Sequence, residues 1–188
     1  MNYKELKARM VGLGFSDEAE VKEYVESGLI ASSLNQALKT LSDTVKGVND
    51  TITHKVDKIG IVKLSELVSG YDELLEIRDG NGNTINDYEL FEDGTVFMKR
   101  TGEYLFIYRK RVPLITKNTA DDYELPVAYE CEAMLPLLTA YYVWLDDDME
   151  IATRWYNEYD SLKQAYLEKK NNKPLKARIR VDMSYMEF

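Results

Sequence analysis

The spacing of apolar residues changes twice along this chain, and that change limits the folds open to it. Early on, Ile30, Leu34, Leu38, Leu41 and Val45 follow one another at intervals of four, four, three and four. One face of a helix of about four turns is therefore apolar. Near the other end, Ala152, Trp155, Tyr159, Leu162 and Tyr166 repeat at three, four, three and four. Between these segments the helical period is lost. Asn81-Gly82 is a two-residue hairpin signal, because a type I′ turn needs positive φ at both central positions, and Asp93-Gly94 is a second turn. Thr95-Val96-Phe97-Met98 and Glu103-Tyr104-Leu105-Phe106-Ile107-Tyr108 read as strands paired around Thr101-Gly102.

The pattern predicts a mainly α fold: a helical bundle with an inserted small antiparallel β unit and an extended C-terminal arm. The bundle body takes residues 1–50 and 116–170, the β insertion 51–115 and the arm 171–188. Two short helices open the body. Gly12 and Gly14 end the first, and Ser16 or Asp17 caps the second, which carries Val21, Tyr24 and Val25 on one face. After Pro126 helix returns, with Leu135, Leu138, Tyr142 and Leu145 on one face and Pro136 kinking it or marking its first turn. Asp146-Asp147-Asp148 forms the next turn, with Asp147 and Glu150 as an acidic capping box. A loop this short makes the last two helices antiparallel. The expected body core is Leu34, Leu38, Leu41, Leu135, Leu138, Tyr142, Trp155, Tyr159 and Leu162.

The arm has its own signature. After Asn171-Asn172-Lys173-Pro174, the run Leu175-Lys176-Ala177-Arg178-Ile179-Arg180-Val181-Asp182-Met183 puts apolar residues at odd positions. Charged residues fill the even ones. That is the period of a half-buried strand. Lys169, Lys170, Lys173, Lys176, Arg178 and Arg180 crowd this end, although the whole chain carries a net charge of −9. An acidic body repels phosphate, which argues against nucleic-acid wrapping on its general surface. The arm can be a solvated end, an electrostatic contact to nucleic acid, or a strand added to a partner's sheet. Its alternation favours strand addition, since a basic arm that only meets phosphate needs no apolar face. The expected binding residues are therefore Lys173, Pro174, Leu175, Lys176, Ala177, Arg178, Ile179, Arg180, Val181 and Met183.

Other signals point away from catalysis, metals, membranes and secretion. No apolar run of membrane-spanning length exists, and the N-terminus lacks a secretory pattern. The one cysteine, Cys131, cannot form an internal disulfide, which fits synthesis in a reducing cytoplasm. It sits among apolar neighbours and reads as a small core residue. Asp79-Gly80-Asn81-Gly82-Asn83-Thr84 imitates a calcium loop, but Thr84 and Leu90 stand where that loop needs Gly and Glu. A hairpin turn explains it better. Capping explains the three consecutive aspartates better than a cation does. His54, the one histidine, has no nucleophile or carboxylate motif to work with. No nucleophile elbow, phosphate loop, dinucleotide fingerprint or zinc spacing is present, so the chain reads as non-enzymatic and without cofactor.

The order of elements carries a resemblance. Helices precede a β block. The strand end Tyr108-Arg109-Lys110 then leads through Pro113-Leu114-Ile115-Thr116 to Glu124-Leu125-Pro126. Two helices close the body, with Met134-Leu135-Pro136-Leu137-Leu138-Thr139-Ala140-Tyr141-Tyr142 in the first. From about residue 20 onward this resembles the head-to-tail adaptor (connector, or head-completion) proteins of tailed bacteriophages, including podovirus-type tubular adaptors with a β insertion. The resemblance implies a non-enzymatic structural protein of the virion neck, made in the host cytoplasm. It implies a homo-oligomeric ring, commonly of about twelve copies, seated under the portal protein and gripping it by the arm. A ring neighbour or a lower neck or tail protein would meet the β block. Genomic DNA would pass through an acidic conduit without specific binding, and no membrane or cofactor is involved. The competing class is another neck, tail-completion or regulatory interaction module, without catalysis.

Overall fold

The computed structural model describes residues 1–171. The first helix, α1 (Tyr3–Met10), starts at a reciprocal cap: Asn2 Oδ1 accepts from Glu5 N at 2.8 Å, and Asn2 N donates to the Glu5 carboxylate at 3.0 Å. Helix α2 (Glu18–Ser27) is capped by Asp17, whose carboxylate accepts from Glu20 N at 2.9 Å. It ends at Gly28, and α3 (Leu29–Leu41) begins there and runs into a π-helical turn, Ser42–Lys46. Between α1 and α2 the backbone lies against Trp144, whose indole N–H donates to Leu13 O at 2.9 Å. A Cβ on Gly14 would stand 2.5 Å from that indole nitrogen, so the position requires glycine.

The chain then enters strand β1 (Asn49–Val56), followed by β2 (Gly60–Lys63), the single-turn α4 (Leu64–Leu67), β3 (Tyr71–Asp79), β4 (Tyr88–Leu90), β5 (Thr95–Met98) and β6 (Gly102–Lys110). After a 3-10 turn at Tyr129–Cys131, helices α5 (Met134–Trp144) and α6 (Met149–Asn171) complete the described chain. Pro136 lies in the first turn of α5, where its missing N–H leaves no helical bond unmade. The cap of α6 is Asp148, not Asp147: its Oδ1 accepts from Glu150 N at 3.0 Å and Ile151 N at 3.1 Å.

The expectation of a mainly α bundle with one small β unit is overturned. The fold is mixed α/β. The strands form two three-stranded antiparallel sheets, ordered β1-β6-β3 and β2-β5-β4. They share a buried cluster of their own, in which Val96, Met98, Phe106, Ile77 and Leu64 are fully enclosed. The helices bury a separate cluster, with Leu6, Ile30, Leu34, Leu135 and Tyr159 at its centre. The misreading has a physical source. Strands β5 and β6 are separated by a turn and look like a hairpin, yet they do not pair. Each is the middle strand of a different sheet: β6 pairs with β1 and β3, and β5 pairs with β2 and, across the Asp93-Gly94 turn, with its neighbour β4. Local turn chemistry fixes where a strand ends, not which sheet it joins.

The Asn81-Gly82 turn also differs from its expected form. Only Gly82 has positive φ, at 82°. Gly82 N donates to Asp79 O and Asp79 N to Asn83 O, each at 2.9 Å, which is a three-residue loop with Gly82 at the bulge position.

Candidate functional site

One arginine ties the helical part to the β insertion through its side chain. Arg109, at the end of β6, sends its guanidinium back under the π-helical turn, where Nη1 donates to Ser42 O at 3.0 Å. Nη2 donates to Glu73, and Nε stands 3.5 Å from the Asp72 carboxylate, an ion pair rather than a hydrogen bond. Asp43 lies 4.0 Å from Nη1. Gly47 makes this approach possible, since a Cβ there would stand 2.5 Å from Arg109 Cδ. Close by, Lys110 pairs with Asp50 at 3.0 Å; their hydrogen bond holds the Asp50 carboxyl below, and the Lys110 ammonium above, its ordinary value. Asn35 on α3 clasps the returning chain, donating to Ile115 O at 2.8 Å and accepting from Ile115 N at 2.9 Å.

The four sheet edges differ in what they offer a partner. Strands β2 and β4 are four and three residues long. Strand β3 carries register shifts at 71/73 and 74/76, and its far end is covered where Ile85 N donates to Ile77 O. Strand β1 is eight residues long and pairs with β6 from Asn49 to Val56 without a shift. Lys110 N donates to Val48 O at 2.9 Å, and this sets the parity. Even-numbered residues of β1 bond to β6, so Asn49, Thr51, Thr53 and Lys55 direct their backbone N–H and C=O outward. The Asp50 carboxylate takes the Thr51 N–H at 2.8 Å. Among the described residues no strand lies on this edge. Edges are ordinarily blunted by shortness, bulges, cover or charged side chains. Among the described residues β1 is neither short nor bulged nor covered by a strand, and its protection is limited to the exposed Lys55 and the Asp50 carboxylate on Thr51 N.

The titratable groups weighed from sequence occupy structural positions. Cys131 is buried, and burial pushes its thiol up to about 11. The Asp79 carboxylate ties its own loop, accepting from Asn83 N at 2.8 Å and Asn81 N at 2.9 Å. These bonds, led by those from Asn83, hold it below the usual carboxylate value. His54 lies half-buried on β1 opposite Tyr104. Among the described residues, no group of three His, Cys, Asp or Glu side chains is placed to hold a metal ion. No described helix is long and apolar enough to cross a membrane.

Of the expected core, Leu34, Leu38, Leu41, Leu135, Leu138, Trp155 and Tyr159 are buried. Tyr142 is half-buried, its hydroxyl 2.9 Å from that of Thr40. Leu162 is 40% exposed and borders a surface groove with Leu137 and Ser161. The expected binding residues, Lys173 through Met183, lie outside the described residues. Sequence reasoning missed the Arg109–Gly47 joint and the open edge of β1. The first left a trace, a lone glycine shortly before the β block. The edge left none, because openness depends on which strands fail to pair. The chain matches no protein-family model and no curated protein.

Proposed function

We propose that this chain is a head-to-tail adaptor of a tailed bacteriophage. Copies assemble as a ring beneath the portal, join capsid to tail and leave a passage for DNA. The observation that carries this reading is the order of parts. A helical body bears a β insertion with its own core, an antiparallel helix pair closes the body, and a basic alternating segment follows α6 directly in sequence.

Charge supports the same reading. Residues 172–188 carry four cationic and two anionic side chains, so a chain of net −9 leaves −11 on residues 1–171. A wall of such bodies repels a polyanion and lets it slide, while the cationic arm is free to engage another protein. Affinity for that partner comes from main-chain pairing and from the apolar face of the arm.

The test mixes the full chain, or a chain ending at residue 170, with the portal ring of the same phage, and measures mass and image. Full-length protein is expected to add a ring of density to one end of the portal, and the shortened chain to add none. Absence of bound mass with the full chain would refute the adaptor reading. Equal binding by the shortened chain would refute the role given to the arm.

A further inference from the structure

We propose that the open edge of β1 is a docking site for residues 175–183 of a second copy of this chain. The inference does not rest on the adaptor reading; it stands on an edge that no described strand covers and on the strand period in the sequence of residues 175–183.

Length comes first. The alternating segment is nine residues long and β1 is eight, whereas β2 and β4 are too short to hold it and β3 is bulged and partly covered. Faces come second. Along β1 the even-numbered side chains face the insertion's core: Val56 is buried, and Ile52 and His54 are half-buried at the rim. Thr51, Thr53 and Lys55 face out and are exposed. A strand with Leu175, Ala177, Ile179, Val181 and Met183 on one face would extend the apolar layer over Ile52. Its cations would then stay in water. Charge comes third, since a segment of net +2 meets a body of net −11.

Direction selects a second copy over the same chain. Helix α6 runs alongside the π-helical turn toward β1: Tyr159 Oη stands 3.4 Å from the Thr44 hydroxyl. Farther along, Tyr166 adds to the raised pKa of Lys46, which is due first to the Glu130 hydrogen bond. The middle of α6 thus lies beside the residues that lead into β1, so a segment continuing from α6 straight onto the same chain's β1 would enter at its first residues and run parallel to it. Every described pairing in both sheets is antiparallel. Antiparallel pairs are also the more stable per residue. A segment arriving from another copy is free to take that direction. On the adaptor reading, the portal would compete for the same strand.

The experiment uses the full chain alone, with no portal, so its outcome is separate from the adaptor test. Sedimentation velocity gives the mass across a concentration series, and amide hydrogen exchange is followed at Thr53 and Lys55. As mass rises above the monomer, both amides are expected to slow by at least about tenfold. Arg178→Pro removes a main-chain N–H on the charged, outward face of the arm, the face whose amides would bond to β1, and is expected to abolish association and protection together. Thr53→Lys, which adds a cation beside the arm without touching either core, is expected to weaken both. Fast exchange at Thr53 and Lys55 in an associated sample would overturn the proposal. So would protection in a sample that is monomeric throughout, or association that survives Arg178→Pro.

Discussion

Replacing Gly47 by alanine tests the joint between the two cores, and the sign of the effect depends on one neighbour. Gly47 has φ −79° and ψ 167°, a conformation alanine adopts without strain. On backbone grounds alone, Gly47→Ala should stabilise by about 0.4–1 kcal/mol, because the unfolded chain loses freedom. The structure predicts the opposite. The new methyl would stand 2.5 Å from Arg109 Cδ and 2.8 Å from Ser42 Oγ. The Ser42 hydroxyl can rotate away, but the arginine stem cannot move without dragging its guanidinium from Ser42 O and Glu73. A hydrogen bond from a charged donor contributes about 1.5–3 kcal/mol. The partly exposed ion pairs to Asp72, Asp43 and Glu73 add at most about 1 kcal/mol. Subtracting the backbone gain leaves a net loss of about 1–3 kcal/mol. Urea unfolding of four proteins measures it: the parent, Gly47→Ala, Arg109→Ala and the double variant. In the Arg109→Ala background the same Gly47→Ala change should become stabilising by about 0.4–1 kcal/mol. A Gly47→Ala variant that is more stable than the parent, or a change of equal size in both backgrounds, would refute the argument.

Trp155→Ala should cost about 3–5 kcal/mol in a thermal or urea melt, because the ring is 6% exposed in the helical core. Trp155→Phe should cost much less than Trp155→Ala, since the indole N–H finds no hydrogen-bond partner among the described residues. The buried thiol of Cys131, pushed up to about 11, should resist a thiol reagent at pH 8 in the native state and react once the chain is unfolded. Rapid native labelling would contradict its burial. The hydrogen bonds from Arg78 and Thr84 lower the Glu76 carboxyl from 4.5 to about 2. A depressed folded value gives stability that is complete above the unfolded pKa and is lost as pH falls through the folded one. The stability difference between the parent and Glu76→Gln should thus be level above pH 4.5 and shrink between 4.5 and about 2, as read from urea midpoints across that range.

The helices were legible because their signals are local. The apolar spacing from Ile30 to Val45, the Asp17 cap and the Pro136 position all act within a few residues, and the structure places elements there. The positions of β5 and β6 were legible for the same reason. Sheet membership was not, because β6 pairs with β1 about fifty residues earlier and with β3 about thirty earlier, while its sequence neighbour β5 joins the other sheet. Leu162 shows another limit. It continues the helical spacing of Trp155 and Tyr159, yet it lies 40% exposed at a surface groove beside Leu137, while Tyr166 farther along packs on the core. Arg109 was unreadable as a joint, since its meaning depends on a glycine, a carbonyl and three carboxylates from separate segments.

The pairing of β1 with β6 has a consequence for how this chain can change over time. The insertion leaves the body after Val48 and returns at Lys110, and those two residues are joined by a backbone hydrogen bond of 2.9 Å. The doorway is therefore as narrow as the neck of a hairpin, although some sixty residues hang from it. From the body's side, the whole two-sheet unit occupies the place of one tight turn. Lengthening, trimming or exchanging what lies beyond that neck leaves the closure of the body's own chain unchanged, so the helices and the insertion can diverge at independent rates.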